Sequence, residues 1–502
     1  MIMRNKSLLA LGASLLIGTA YLASPVVAAD KKEAKAPKVP KPFTEKEKAA
    51  GAKYHPEILK EFGGESYQSP QTAYVVRVGK KIALQSGLAT AENDFTVTYL
   101  NSPVNNAFAI EGGYIYITRQ LTALCNSEAE MAGVLGHEVG HTAARHSKKR
   151  QQNQTWAGIL GVLGTIGGAV LGDNGGLVGA LGGLAKEYSG TLAQIFSLSY
   201  SRGQEEEADD LGIQYLSKAG YDPSALSDML RSLALQTSVD AKAAGHMGGS
   251  IPEWASTHPD PAKRVVRAAT NAKKFPAATM RNADAHMKAI DGMLYDDDPK
   301  EGVIDGQDFV HPTFRLKFSA PTGYGIANSS SAVAVNGSGG QAQFRTAAYS
   351  GNKQAYLDAA FKAVTGAQQQ VNAGAMVSGT VNGLATFSSS ADVQTQNGLV
   401  RLTIFAYEFA ADQAFHFVTI TPTTSAPFDA MFRSVARISQ KEADAIKPRK
   451  LRVVTVGKAD SVASLAGRMA YKNYQTDRFL ALNGLGSNAT LKVGQKVKIV
   501  TY

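Results

Sequence analysis

The chain has 502 residues of ordinary globular composition, 44% apolar and 19% charged, which is too much for one hydrophobic core and sets an expectation of about two to four domains. Its single cysteine, Cys125, excludes an intramolecular disulfide framework and reads as a buried structural thiol. The net charge of +10 is too diffuse to mark a nucleic-acid partner and suits an anionic neighbour such as a membrane face or cell wall.

Arg4 and Lys6 precede an apolar run from Leu8 to Leu22 and the small residues Val27-Ala28-Ala29, the three-part grammar of a cleavable secretory signal over residues 1–29. A retained anchor is the rival reading, although the apolar run is short for a membrane span. Residues 30–50 alternate Lys, Ala, Pro and Glu with little to bury, so a flexible linker is expected there. From about residue 51 to 275 the pattern mixes helices with a small sheet. Phe95 to Leu100 reads as a strand, and Ala107-Phe108-Ala109-Ile110 pairs with Tyr114 to Ile117 in a hairpin around Gly112-Gly113.

Ser127 and Glu130 have the spacing of a capping box, which predicts a helix running to about Arg145. On it His137 and His141 stand four apart, one above the other, so both imidazoles can reach one tetrahedral zinc ion. Glu138 sits roughly a hundred degrees round, placed to take a proton from a metal-bound water. Two histidines leave the site incomplete. The richest source of a third ligand is Ser201 to Asp209, where Glu205 shares a helical face with Ala208, Gly212, Tyr215 and Leu216, while Glu207 and Asp210 fall on a solvent-type face. Asp209 lies on the inward side too, where it can accept an N–H from a ligating imidazole and fix its tautomer.

Between these helices, residues 156–185 are almost wholly Gly, Ala, Leu, Val and Ile. A single membrane crossing would separate the histidines from Glu205, so the segment either dips into a membrane and returns or packs as an apolar loop near the cleft. Further on, His258 lies in Ser256-Thr257-His258-Pro259 with Arg264 six residues later. It has three readings: oxyanion stabiliser, with Arg264 as a second candidate for that role, fourth zinc ligand, or ordinary loop residue. His55, His146, His246, His311 and His416 lack ligand spacing and default to structural or surface roles.

A Lys- and Asp-rich spacer leads to residues 308–440, where strands flank one helix from Lys353 to Gln370 and Asn382-Gly383 marks a hairpin turn. No polar cluster converges there, and a scaffolding or partner-binding role is expected. Residues 441–450 read as a second linker. The last unit, 451–502, runs strand, helix, helix, strand. The whole is expected to be α+β and multidomain: a mainly helical zincin-type peptidase domain with a small sheet, a middle antiparallel-sheet domain, and a small β-α-α-β domain.

Two resemblances follow from these motifs. Asn106 to Ala109, Gly112 to Tyr116, Glu128 to Glu130 leading into His137-Glu138-Val139-Gly140-His141, Glu205 to Asp209, and Thr257-His258-Pro259 together resemble the CAAX-prenyl-protease-like zinc metallopeptidases, in the periplasmic branch with HtpX-related and BepA-like enzymes. That resemblance implies a periplasmic endopeptidase acting on misfolded or misassembled envelope proteins, with one Zn²⁺ held by His137, His141 and Glu205 and oriented through Asp209. It also implies that an extended substrate pairs with the strand Ala107 to Ile110, as in β-addition at a sheet edge. Residues 451–502 resemble the LysM module, which implies peptidoglycan binding; the loop Gly457-Lys458-Ala459-Asp460-Ser461 departs from the usual Gly-Asp-Thr turn, and a LysM-like fold that binds protein or nothing is the rival.

Overall fold

Thr44 opens the first helix, inside the stretch expected to be a linker. Its side chain accepts from the Glu47 amide while the Glu47 carboxylate takes the Thr44 amide, capping α1 (Glu45–Glu61). Phe43 and Glu47 are buried, so the flexible reading of residues 30–50 fails at its C-terminal end, where a cap and an apolar anchor outweigh the polar composition. The structure, a computed structural model, describes residues 40–63, 67–147, 199–243, 258–329, 332–365, 371–395 and 398–502. The expected signal, residues 30–39 of the linker and the apolar segment 156–185 lie outside the described residues. Among the described residues no helix is long and apolar enough to cross a membrane.

The first region continues with α2 (Thr72–Ala83), β1 (Thr96–Leu100), β2 (Ala107–Ile110), β3 (Tyr114–Thr118), α3 (Arg119–Leu124) and α4 (Glu128–Ala143). Then follow α5 (Arg202–Lys218), α6 (Ala225–Ala243), α7 (Pro261–Ala272) and α8 (Ala283–Ile290). β1 runs parallel to β3 and β2 antiparallel to it, in the order β1-β3-β2, so β2, like β1, is an edge strand. Every residue of α4 from Glu128 to His141 is buried. A helix buried all round, yet carrying Glu128, Glu130, His137, Glu138 and His141, must supply each of them with a polar partner.

The close approach of α4 to α5 rests on glycines. A Cβ on Gly140 would meet the Ala208 carbonyl oxygen at 2.9 Å, and one on Gly212 would meet the His137 amide nitrogen at 3.0 Å. Only hydrogen at these positions lets the two backbones come near enough for their side chains to share one centre.

The spacer between the first two regions is built into the fold. It contains α8 and β4 (Leu294–Tyr295), and β4 pairs with β16 (Arg449–Thr455) near the C-terminus. The middle region holds β5 (Val303–Asp305), β6 (Asp308–His311), β7 (Leu316–Ser319), β8 (Gly325–Asn328), β9 (Val333–Gly337) and β10 (Gly340–Ala348). After α9 (Lys353–Thr365) come β11 (Val377–Val381), β12 (Leu384–Thr395), β13 (Gly398–Ala410), β14 (Gln413–Pro422), α10 (Asp429–Ser434) and β15 (Ala436–Arg437). A seven-stranded antiparallel sheet, ordered β11-β12-β13-β14-β10-β9-β8, stands beside a four-stranded one, β15-β7-β6-β5. One face of the large sheet packs under α9 through Leu357, Phe361, Phe387 and Ile404. The other face meets the small sheet and α10 through Phe318, Phe344, Phe417 and Met431. Asn382 and Gly383 both take positive φ between paired Val381 and Leu384, the two-residue turn that the Asn-Gly pair predicts.

The expected second linker, 441–450, is structured as well: α11 (Gln440–Ala445) is capped by Ser439 and β16 starts at Arg449. The last region adds α12 (Val462–Ala466), α13 (Gln475–Leu482) and β17 (Lys496–Thr501), the β-α-α-β order expected. Leu451, Leu465, Phe479 and Ile499 join the same apolar cluster as Leu121, Leu135, Leu216 and Leu230 of the first region. Lys498, fully buried, crosses the junction and donates to the carbonyls of Ala123, Leu124 and Cys125 at 2.7, 3.0 and 2.7 Å. Three charge-assisted bonds offset the cost of burying an ammonium, and they satisfy carbonyls at the C-terminus of α3 that its own helix leaves open.

Candidate metal centre

Three elements deliver the site. Ser127 starts α4 by accepting from the Glu130 amide, and the Glu130 carboxylate returns to the Asn126 amide at 2.8 Å, one residue before the position a capping box specifies. Ser201 and Gln204 cap α5 reciprocally. α7 begins with Pro261 at its N-terminus after Asp260 in left-handed backbone, so His258 in the preceding loop and Arg264 on the first turns arrive together.

His137, His141, Glu205 and His258 each offer a ligand atom, and these four atoms lie within 4.8 Å of one another. His141 Nε2 is 3.0 Å from His137 Nε2 and 3.2 Å from Glu205 Oε1. His258 Nδ1 is 3.0 Å from Glu205 Oε1 and 3.3 Å from His137 Nε2. All four side chains are buried. His137 Nδ1 lies 3.0 Å from Asp209 Oδ1, so a proton on Nδ1 leaves the Nε2 lone pair facing the cluster. The donor set, three imidazoles and a carboxylate converging from a buried site, fits a metal ion. Glu138 strengthens the fit: its Oε1 is buried and makes no hydrogen bond among the described residues, while lying 3.5 Å from His258 Nε2.

The electrostatics agree with that division of labour. Burial pushes the Glu138 carboxyl above the ordinary glutamate range, against the pull of His258 and His137. Glu205 and Asp209 are buried too, yet their partners win and hold both carboxylates below the usual range: chiefly His258 and His141 for Glu205, and Arg264 and His137 for Asp209. Burial drives His141 well below the histidine value, which keeps it neutral. For His137 burial acts downward, but Asp209 and Glu205 outweigh it and raise the value.

Arg264, a candidate for the oxyanion role, stands against the two carboxylates Glu205 and Asp209. Its Nε donates to Asp209 Oδ2 at 2.8 Å and one Nη to Asp209 Oδ1 at 2.5 Å, the other Nη bonds Glu205, and the guanidinium is buried. A guanidinium fork paired with both carboxylates holds Glu205 and Asp209 in a fixed geometry. Beyond the predicted set, Tyr200 stacks on His141 with ring centroids 3.7 Å apart. His146 is fully buried, with Nδ1 2.8 Å from His141 Nδ1 and Nε2 3.1 Å from Glu207 Oε2. Helical periodicity misses His146 because it stands five residues from His141, beyond the end of α4.

A His-Glu-x-x-His helix that meets a buried glutamate from a second helix at one ligand cluster defines a metallopeptidase domain. Residues 69–272 match the model of Peptidase family M48 and residues 454–500 that of the LysM domain. It is 30% identical over 225 residues to the beta-barrel assembly-enhancing protease of Yersinia pestis, covering 43% of this chain and 42% of that protein. It is 26% identical over 219 residues to the protein of the same name from Escherichia coli K12, with 42% and 41% covered. The mitochondrial metalloendopeptidase OMA1 of Schizosaccharomyces pombe is 31% identical over 226 residues, 44% of this chain and 59% of that one. The chain thus spans less than two thirds of the length of each of these relatives.

Proposed function

We propose that the protein is an exported zinc metalloendopeptidase that cleaves misfolded or misassembled cell-envelope proteins in the periplasm. The observation that carries this reading is the convergence of His137, His141 and Glu205 beside the open carboxylate of Glu138. His137, His141 and Glu205 would hold a zinc ion, which would supply Lewis acidity and lower the pKa of water toward neutrality. Glu138, its affinity for protons raised by burial, takes the proton of the attacking water and returns it to the leaving amine. Asp209 and Arg264 keep His137 and Glu205 in register. An extended polypeptide lies along the edge strand β2, Ala107 to Ile110, which packs against α4. The sequence grammar of residues 1–29 supports export, the names of the relatives support a role in envelope assembly, and the LysM domain supports attachment to peptidoglycan. Residues 156–185 are assigned a peripheral membrane contact on composition alone.

One observation favours a second reading, an assembly factor with a closed zinc site: His258 already stands within hydrogen-bond distance of Glu205 and His137, where a fourth ligand would sit. A single variant separates the two. Glu138→Gln is expected to bind about one zinc per chain, as the wild type does, and to lose cleavage of a denatured test protein by a factor of at least 10². Undiminished cleavage by this variant sinks the peptidase mechanism. Lost cleavage together with full rescue of an envelope-assembly defect selects the assembly factor.

A further inference from the structure

We propose that His146 and Glu207 form a positioning relay that orients His141 toward the metal. The proposal rests on the metal-centre reading above. His141 turns Nε2 into the cluster, 3.2 Å from Glu205 Oε1, so the lone pair needed for a metal is on Nε2 and the proton is on Nδ1. That proton faces His146 Nδ1 at 2.8 Å, which must accept it. A neutral His146 accepting at Nδ1 carries its own proton on Nε2 and donates it to Glu207 Oε2, 3.1 Å away. Every proton in the chain from His141 to Glu207 is thereby assigned, and reversing any one leaves two donors or two acceptors face to face.

The relay makes the two histidine ligands unequal. His137 reaches a buried carboxylate directly, Asp209 at 3.0 Å, whereas His141 reaches one through an intervening imidazole, and that carboxylate is half exposed, with 54% of the Glu207 side chain accessible. The backbone is shaped for this purpose. α4 ends at Ala143, and Arg145 takes a left-handed conformation at φ 57°, which folds His146 back beneath the helix to full burial. Non-glycine residues adopt that conformation at a cost. Here Arg145 is held by Glu47 at 2.5 Å and by the Lys41 carbonyl at 3.0 Å, so the first turn of α1 and the segment before it clamp the turn. Glu207, which helical periodicity puts on a solvent face, thus acquires a role from a residue outside its own helix.

The test reads metal affinity, which is separate from turnover. His146→Phe keeps ring volume beside His141 and removes both nitrogens; Glu207→Ala removes the terminal acceptor at an exposed position where folding is safe; Glu207→Gln keeps an acceptor oxygen. In chelator competition with zinc, His146→Phe and Glu207→Ala are expected to bind about 10–100-fold more weakly than wild type, with unchanged melting temperatures of the metal-free proteins, and Glu207→Gln is expected to recover most of the loss. Imidazole ¹⁵N shifts should show His141 protonated on Nδ1 in the wild type and a mixture of tautomers in Glu207→Ala. Zinc affinity within about twofold of wild type in both loss variants overturns the relay, since oriented ligands are worth more than that. If His146→Phe does not fold, Glu207→Ala decides. Wild-type protein that binds no zinc refutes the metal centre itself, a separate result from a relay that fails while zinc still binds.

Discussion

Asp209 holds two partners at once, the Nδ1–H of His137 through Oδ1 and the Arg264 guanidinium through both oxygens. Its removal therefore has two consequences of different kinds. Asp209→Ala takes from Arg264, 4% exposed, the carboxylate that it binds through two nitrogens, and breaking a buried pair in this way costs about 3–5 kcal/mol. It also frees the His137 ring, so zinc affinity is expected to fall about 10–100-fold. Urea unfolding of the metal-free variant and chelator competition measure the two separately; a variant as stable as wild type would mean that Arg264 finds other partners. The residues of this centre differ in how visible they are in sequence. Glu205 and Asp209 are legible because a helix repeats its faces every 3.6 residues and Ala208, Gly212, Tyr215 and Leu216, all buried, mark the inward one. His146 is illegible because its place depends on one left-handed residue at the end of α4, a choice that periodicity does not encode.

Among elements, the α4–α5 contact sets the distance between the histidines and Glu205. Gly136 and Gly140 both look like packing glycines in the sequence, yet they face different neighbours. A methyl on Gly136 would come no closer than 3.3 Å to Ile82 and 3.5 Å to Gly212, whereas one on Gly140 would sit 2.9 Å from a carbonyl oxygen of Ala208. A side-chain carbon can yield by a few tenths of an ångström; helix backbone moves only if α5 moves. Gly140→Ala is thus expected to destabilise the protein by about 1–3 kcal/mol and to reduce zinc occupancy by displacing Glu205, while Gly136→Ala stays near neutral because its helix propensity improves by about 1 kcal/mol. Thermal melts and metal analysis of the pair test this, and equal effects would show that the contact is softer than drawn. The helices and strands themselves are largely legible, since caps such as Ser127 and Ser201 and the Asn382-Gly383 turn are local signals. The linkers are not. Residues 45–50 and 441–450 have polar compositions that suit an extended tether, and burial of Phe43 and pairing of β16 with β4 and β17, together with the caps at Thr44 and Ser439, make them structure.

Across the whole molecule, the LysM region is seated on the peptidase region, where the composition of residues 441–450 suggests a tethered tail. The seat is apolar at Leu451, Phe479 and Ile499 and charged at Lys498. Beside it lies a cavity of about 170 Å³ lined by Asn105, Gln120, Asp240, Asp296, Tyr471 and Arg478. Asp240, on α6, accepts from Gln236 at 2.8 Å. Burial raises its carboxyl to about 6, with Asp296 pushing the same way and Gln236 and Arg478 opposing. An unfolded aspartate titrates near 3.9. Between these values the folded protein keeps a proton that the unfolded chain has lost, so this group favours folding below about pH 4 and the benefit vanishes as pH rises through 6. By pH 8 the buried charge costs on the order of 3 kcal/mol relative to a neutral side chain. Asp240→Asn keeps the oxygen that Gln236 binds and removes the charge. It is expected to stabilise the protein at pH 8 by up to about that amount and at pH 5 by roughly a third to a half of it, as the gap between urea unfolding free energies of variant and wild type. An equal gap at both pH values would mean that Asp240 is ionised throughout and that the junction between the two regions tolerates its charge.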